Sequence, residues 1–309
     1  MLVFSLIACF ASPYGDDVLP LEEQLRINLP TDPAAAKTAS DPDAEWAEFY
    51  VVTRNVTESV NGMVAFVLGT VGAVTLLRPT WVDDAQSTAM WGPYSDSGLD
   101  PVETGLLVTR NDDATTSWFL FQIPNGGSVD TDRVDIVSGL VDAGSTRKDA
   151  SGTFFLDFTT AASMDPSVNL VGTWNVDYTY DAEGVAGVVV ADDYGLRGGG
   201  RIDAQYAYQE DYAGAGSMDL AWQDDFDGDA GPDDAAMRSR WQADGQGRSD
   251  ARITTAQHGE VTATECWGTT FSRVYWADSV GLQPNEGDAT ACAFEATEYP
   301  SDASFDPVD

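Results

Sequence analysis

The sequence predicts a mainly β protein: a large curled antiparallel meander sheet, or a partly closed β-barrel, with one packed N-terminal α-helix. Three observations point there. Beyond Trp81 apolar and polar residues alternate with period two. Turn-forming clusters separate the alternating runs at short intervals. Before Trp81, one segment carries the 3.6-residue period of a helix.

That helix is expected over about residues 55–77. Asn55 followed by Glu58 fits a capping box. Val60, Met63, Val64, Val67, Leu68 and Val71 then recur on one face, and Arg78-Pro79 closes the segment with a cation and a residue that cannot continue it. Residues 59–77 carry no charge, close to the lower limit for crossing a bilayer. The apolar side chains cluster by face, however, and glycines dilute them, which favours a core helix.

The strands follow. Trp174, Val176, Tyr178 and Tyr180 alternate with Asn175, Asp177 and Thr179; comparable runs pass through Tyr206 and Tyr208, through Trp222, and through Trp241. Each is a half-buried strand with one face in a core. Loops such as Asp181-Ala182-Glu183-Gly184 and Gly198-Gly199-Gly200 are too short for crossover helices, so consecutive strands pair as hairpins. A flat sheet of so many strands is unfavourable, hence the expected curling or closure. Trp118-Phe119-Leu120-Phe121 and Phe154-Phe155-Leu156 are apolar on both faces and predict a doubly covered region.

Composition limits the function. Against 15 Lys and Arg stand 51 Asp and Glu, a formal charge of −36, so nucleic acid is excluded as an electrostatic partner. A single histidine removes His-pair metal sites and most histidine-based general-base schemes. The apolar share of 43% is ample for a folded core.

The first residues carry a resemblance. Met1 to Ala8 form a short apolar run, and Leu6-Ile7-Ala8-Cys9 resembles the lipobox of bacterial lipoproteins, in which the cysteine is lipidated and becomes the mature N-terminus. The resemblance implies a truncated signal peptide over residues 1–8, lipidation at Cys9, and a flexible Pro/Ala/Asp-rich tether over residues 9–43. A single antiparallel β domain is then expected over 44–298, with a disordered acidic tail over 299–309. If Cys9 is used for lipid, Cys266 and Cys292 remain as an even pair. In an exported chain they are expected to form a disulfide, the alternative being two reduced, buried thiols.

Candidate chemistry is sparse. Asp225, Asp227 and Asp229 copy the start of an EF-hand loop, but Ala236 stands where the bidentate glutamate should be. The run is therefore a solvated acidic loop or a weak calcium site, and no other cofactor is expected. His258 before Gly259 reads as a turn residue. Trp174, Tyr178, Tyr206, Tyr208, Trp222 and Trp241 fall on the periodic face of successive strands, where they either fill a core or line a concave ligand face. The reading is a lipid-anchored protein of the bacterial cell envelope, at the outer membrane. Its role is non-enzymatic, binding or structural, through that aromatic face. The membrane is a partner through the anchor, and a hydrophobic ligand or an envelope protein is a partner through the face. The alternative is a carboxylate-dependent hydrolase, which requires a tight cluster of buried acids in a cleft.

Overall fold

The computed structural model describes residues 19–30 and 46–296, apart from 84, 86, 96, 99, 147, 227 and 229–232. It is mainly β. Strands β1 (Trp81–Val82), β2 (Thr88–Tyr94), β3 (Val102–Arg110), β4 (Thr116–Pro124), β5 (Val134–Val141), β6 (Ala150–Asp157), β7 (Leu170–Tyr180) and β8 (Gly184–Leu196) lead into β9 (Arg201–Asp211), β10 (Gly216–Asp224), β11 (Asp233–Trp241), β12 (Gly247–Thr255), β13 (Gly259–Trp267), β14 (Arg273–Asp278) and β15 (Glu286–Gly287). All 15 belong to one sheet in chain order, each antiparallel to its neighbours. The sheet is open: among the described residues no pairing joins β1 to β15, so it does not curl into a barrel. Both edge strands have two residues, which leaves little unpaired backbone to recruit another chain.

Closure is unnecessary because a helix supplies the second layer. After the short α1 (Glu22–Leu25), helix α2 (Glu48–Thr75) runs across the strands. Its first turn lies on β13 and β14, where Phe49 meets Trp276 with ring centroids 5.4 Å apart. Thr53 reaches Ser239 on β11 at 2.6 Å, and Thr57 reaches Tyr206 on β9 at 3.3 Å. Just past its end, the Leu77 carbonyl accepts the Trp91 indole N–H of β2 at 3.0 Å. Val60, Val64, Val67, Leu68 and Val71 are buried in one core with residues from β2 to β11. The helix is long and apolar enough to cross a membrane, yet its apolar stripe is sealed against the sheet.

The helix begins at Glu48, earlier than the capping box predicted. Asn55 sits in its interior and Glu58 pairs with Arg54 at 2.7 Å, a side-chain bridge one turn apart. The true cap is remote. Glu265 on β13 accepts the N–H groups of Glu48 and Phe49 at 3.1 and 2.5 Å.

Large rings on the helix-facing side lie over glycines of adjacent strands. In register, Gly152, Tyr178, Gly187 and Tyr208 alternate across β6 to β9, and Gly216, Trp241, Gly247 and Trp267 across β10 to β13. On β5 a Cβ at Gly139 would stand 2.0 Å from the Trp118 ring, so only glycine leaves room. The rings thereby lie flat and give the helix a level bed.

Part of the expected tether is folded. Leu19, Leu25 and Ile27 are buried, and Asn61 of α2 exchanges hydrogen bonds with the backbone of Ile27 at 3.0 and 2.7 Å. These three apolar side chains give residues 19–30 enough surface to bury, unlike the Pro/Ala-rich sequence that follows. The remainder of the tether and the tail over 299–309 lie outside the described residues. Double cover holds only locally. Between the short α3 (Val129–Asp132) and β5, Arg133 lays its guanidinium 5.3 Å from the ring of Phe121, which is fully buried, whereas Phe155 on β6, ahead of α4 (Phe158–Met164), stays 40% exposed.

Candidate functional site on the uncovered sheet face

The six aromatics do share one face, and that face is the helix-covered one. Trp174, Tyr178, Tyr206, Tyr208 and Trp241 are buried in the core, while Trp222 is half-buried at its margin against Phe226. Burial pushes the hydroxyls of Tyr178, Tyr206 and Tyr208 far above the ordinary tyrosine range. Of the two alternatives open for these rings, the core describes the five buried ones and the concave ligand face does not: α2 and residues 19–30 occupy the space a ligand would need.

The opposite face is uncovered over its middle strands and carries two hollows, of about 750 and 690 Å³. The larger spans β7 to β12. Its floor is low because Ala221 and Ala236, paired across β10 and β11, present only methyl groups where longer side chains would stand. Its walls are polar. Asp192, Asp203, Gln205, Gln223, Asp234 and Arg252 line it. Gln223 donates to Asp234 at 2.9 Å, the Asp203 carboxylate accepts the backbone N–H of Asp193 at 2.8 Å, and Arg252 lies 3.8 Å from Glu260. The site therefore offers fixed carboxylates, amides and one guanidinium over a small apolar floor.

Beside it, arginines and aspartates form a ladder. Arg238 on β11 holds Asp219 on β10 through two bonds of 2.6 Å, and Arg248 on β12 holds Asp250 at 2.7 Å. Arg240 and Arg248 stand directly opposite one another in the β11–β12 register, a repulsive pairing. Asp250, 3.5 Å from Arg240, offsets it, and so does the C-terminal segment. The carbonyls of Glu295 and Phe294 accept from Arg240 and Arg248 at 2.7 and 3.4 Å, and the Phe294 ring lies 5.0 Å from the Arg240 guanidinium. Cys266 and Cys292 form the disulfide that holds this segment in place, with Cα atoms 5.4 Å apart.

The remaining candidates are dispersed. Asp225 accepts the N–H of Gly228 at 2.7 Å, while Asp227 and Asp229 lie outside the described residues, as does Cys9. His258 is in the turn between β12 and β13. Among the described residues the buried carboxylates Glu210, Asp233, Asp250 and Glu265 stand on four different strands, each with a partner. Asp250 and Glu265, on adjacent strands, point to opposite faces because Asp250 pairs with Thr264 and Ser249 with Glu265. No two of them frame a cleft. Burial pushes the Glu210 carboxyl up to about 7, against the pull of the Asn28 N–H bonded to it at 2.6 Å. The Glu265 carboxyl is raised by burial too, and the Phe49 N–H and Arg273 limit the rise.

Sequence reasoning assigned the hollow's residues to water and missed them as a site. The available signal was small: alanines at Ala221 and Ala236, in strand positions whose neighbours on the same face are polar or charged. Comparison of the chain with protein-family models, curated proteins and solved structures gives no match.

Proposed function

We propose that this chain is a lipid-anchored protein of the bacterial cell envelope, at the outer membrane, that binds an envelope protein through the uncovered face of its sheet. One observation carries the reading: the helix seals the aromatic face and leaves open a polar face with a hollow of about 750 Å³. A polar surface with three aspartates, two glutamines and an arginine around the hollow suits a protein partner that supplies donors and cations, in place of the hydrophobic ligand the aromatic face suggested. The Cys266–Cys292 disulfide supports an oxidising compartment, as an exported chain requires. Cys9 would supply the anchor.

A photo-crosslinking residue placed at Gln205 in cells tests the binding reading. A discrete adduct is expected, and it should vanish when Ala236→Trp fills the hollow; an absent adduct, or one indifferent to Ala236→Trp, overturns it. Mass spectrometry of the N-terminal peptide tests the anchor, and an unmodified Cys9 removes it.

A further inference from the structure

We propose that the larger hollow is the seat of an amphipathic α-helix of the partner, laid across strands β8 to β11 with lysines or arginines along one flank. The proposal rests on the binding reading above and deepens it by naming the element that binds.

Register builds the seat. Val190, Gln205, Ala221 and Ala236 stand opposite one another on β8 to β11 and form a floor that runs across the strands. Two residues along each strand on one side stand Asp192, Asp203, Gln223 and Asp234; two residues along on the other stand Val188, Ala207, Asp219 and Arg238. Side chains two apart on a strand point the same way, so the floor and both flanking rows share the uncovered face. The flanking rows lie about 13 Å apart, and an α-helix with its side chains is about 10–12 Å across. The hollow spans β7 to β12. At the spacing of paired strands that is about 24 Å, the length of a helix of about 16 residues.

The two flanking rows differ in charge. Among the described residues no arginine pairs with Asp192, Asp203 or Asp234; Asp203 holds a backbone N–H and Asp234 the amide of Gln223. In the other row Arg238 neutralises Asp219 through two bonds of 2.6 Å. Cations are therefore called for along one flank of the occupant and not the other. Between the rows, leucine-sized side chains would fill the space above the Ala221 and Ala236 methyl groups.

The backbone disfavours an extended occupant. Strands β7 to β12 are each paired on both sides, so their N–H and C=O groups are already engaged. A partner strand would find no ladder to join here, and recognition has to come from side chains, as when a helix lies in a groove. The covered face of the same sheet already takes α2 across its strands in this way.

The test uses the chain from residue 9 onward with Cys9→Ser and two dye-labelled peptides of the proposed length and identical Leu, Lys and Ala content. One has leucines at i, i+3, i+4 and i+7 with lysines along one flank; the other alternates leucine and lysine. Fluorescence anisotropy should show the first bound at least about tenfold more tightly, and circular dichroism should show it helical in the complex. Asp203→Asn with Asp234→Asn, and separately Ala236→Trp, should each weaken it by at least about tenfold. Phe66→Asp, on the outward surface of α2, should leave it unchanged. Equal affinity for the two peptides, wild-type affinity in the floor and flank variants, or a loss in Phe66→Asp overturns the proposal. So does a dimer of the chain itself that Ala236→Trp dissolves. A Gln205 adduct abolished by Ala236→Trp, beside equal affinities for the two peptides, keeps the binding reading and overturns the helix. Peptide binding as expected with no adduct in cells keeps the helix seat and overturns the envelope partner.

Discussion

The carboxylate of Glu265 closes the N-terminus of α2 by accepting the backbone N–H of Phe49 at 2.5 Å, across 216 positions of sequence. It accepts from Glu48 as well and is held from behind by Arg273 at 2.5 Å. Ala47, at the cap position, contributes no side-chain bond, so the strand residue does what a local Ser or Asp would ordinarily do. The negative carboxylate also opposes the positive end of the helix dipole.

Replacing Glu265 by alanine should therefore lower the unfolding free energy of the unlipidated chain by about 3–5 kcal/mol, because Arg273 loses its buried partner and two N–H groups lose their acceptor. Glu265→Gln keeps an acceptor and should cost less. Urea denaturation of the two variants checks the order; equal losses would mean that the charge, and not the cap, carries the effect.

Glu210 should make stability depend on pH. Its folded value of about 7 lies above its ordinary 4.5, so the folded chain holds the proton more tightly than the unfolded one. The contribution is complete below about 4.5 and is lost as pH rises to about 7. Glu210→Gln keeps an acceptor for the Asn28 N–H without the buried charge. At pH 8 it should be more stable than wild type by on the order of 2 kcal/mol, and the difference should shrink towards pH 4.5. Denaturation midpoints of both proteins across that range measure it.

Reducing the Cys266–Cys292 disulfide, or Cys292→Ser, should cost about 3 kcal/mol for a bridge between residues 26 apart. It should also release the carbonyls of Phe294 and Glu295 from the Arg240–Arg248 pair. Added salt, which screens exposed like charges, should recover more stability in Cys292→Ser than in wild type. Thermal melts at low and high ionic strength check this.

Gly139→Ala should be strongly destabilising, by about 3 kcal/mol, because the added methyl meets the Trp118 ring. Trp118→Leu removes that ring, at its own cost. The double variant should then be more stable than the sum of the two losses predicts, and a double-mutant cycle by urea denaturation reads the coupling.

Much of this architecture was legible in the sequence, for reasons that also set its limits. Alternation along Trp174 to Tyr180 marks which residues share a face, because successive side chains on a strand point oppositely. It does not say whether a face is sealed or open, so the same six aromatics suited either a core or a cleft. The start of α2 was misplaced because local capping rules look three residues ahead, and Glu265 lies beyond any such window. The hollow was invisible for a related reason. Its floor comes from alanines on β10 and β11 and its walls from residues on β8 to β12, and only the register brings them together. Residues 19–30 were read as tether because their few apolar side chains form no periodic run; they fold by joining a core built elsewhere.

The strict chain order of the strands sets a schedule for assembly. Each hairpin closes a short stretch and can zip as soon as its second half is available, whereas the clamp on α2 awaits the thirteenth strand. A chain emerging from its N-terminus would thus expose the greasiest helix first and secure it almost last. Its valine face, later buried on the sheet, is the part of the molecule most in need of shelter during that interval.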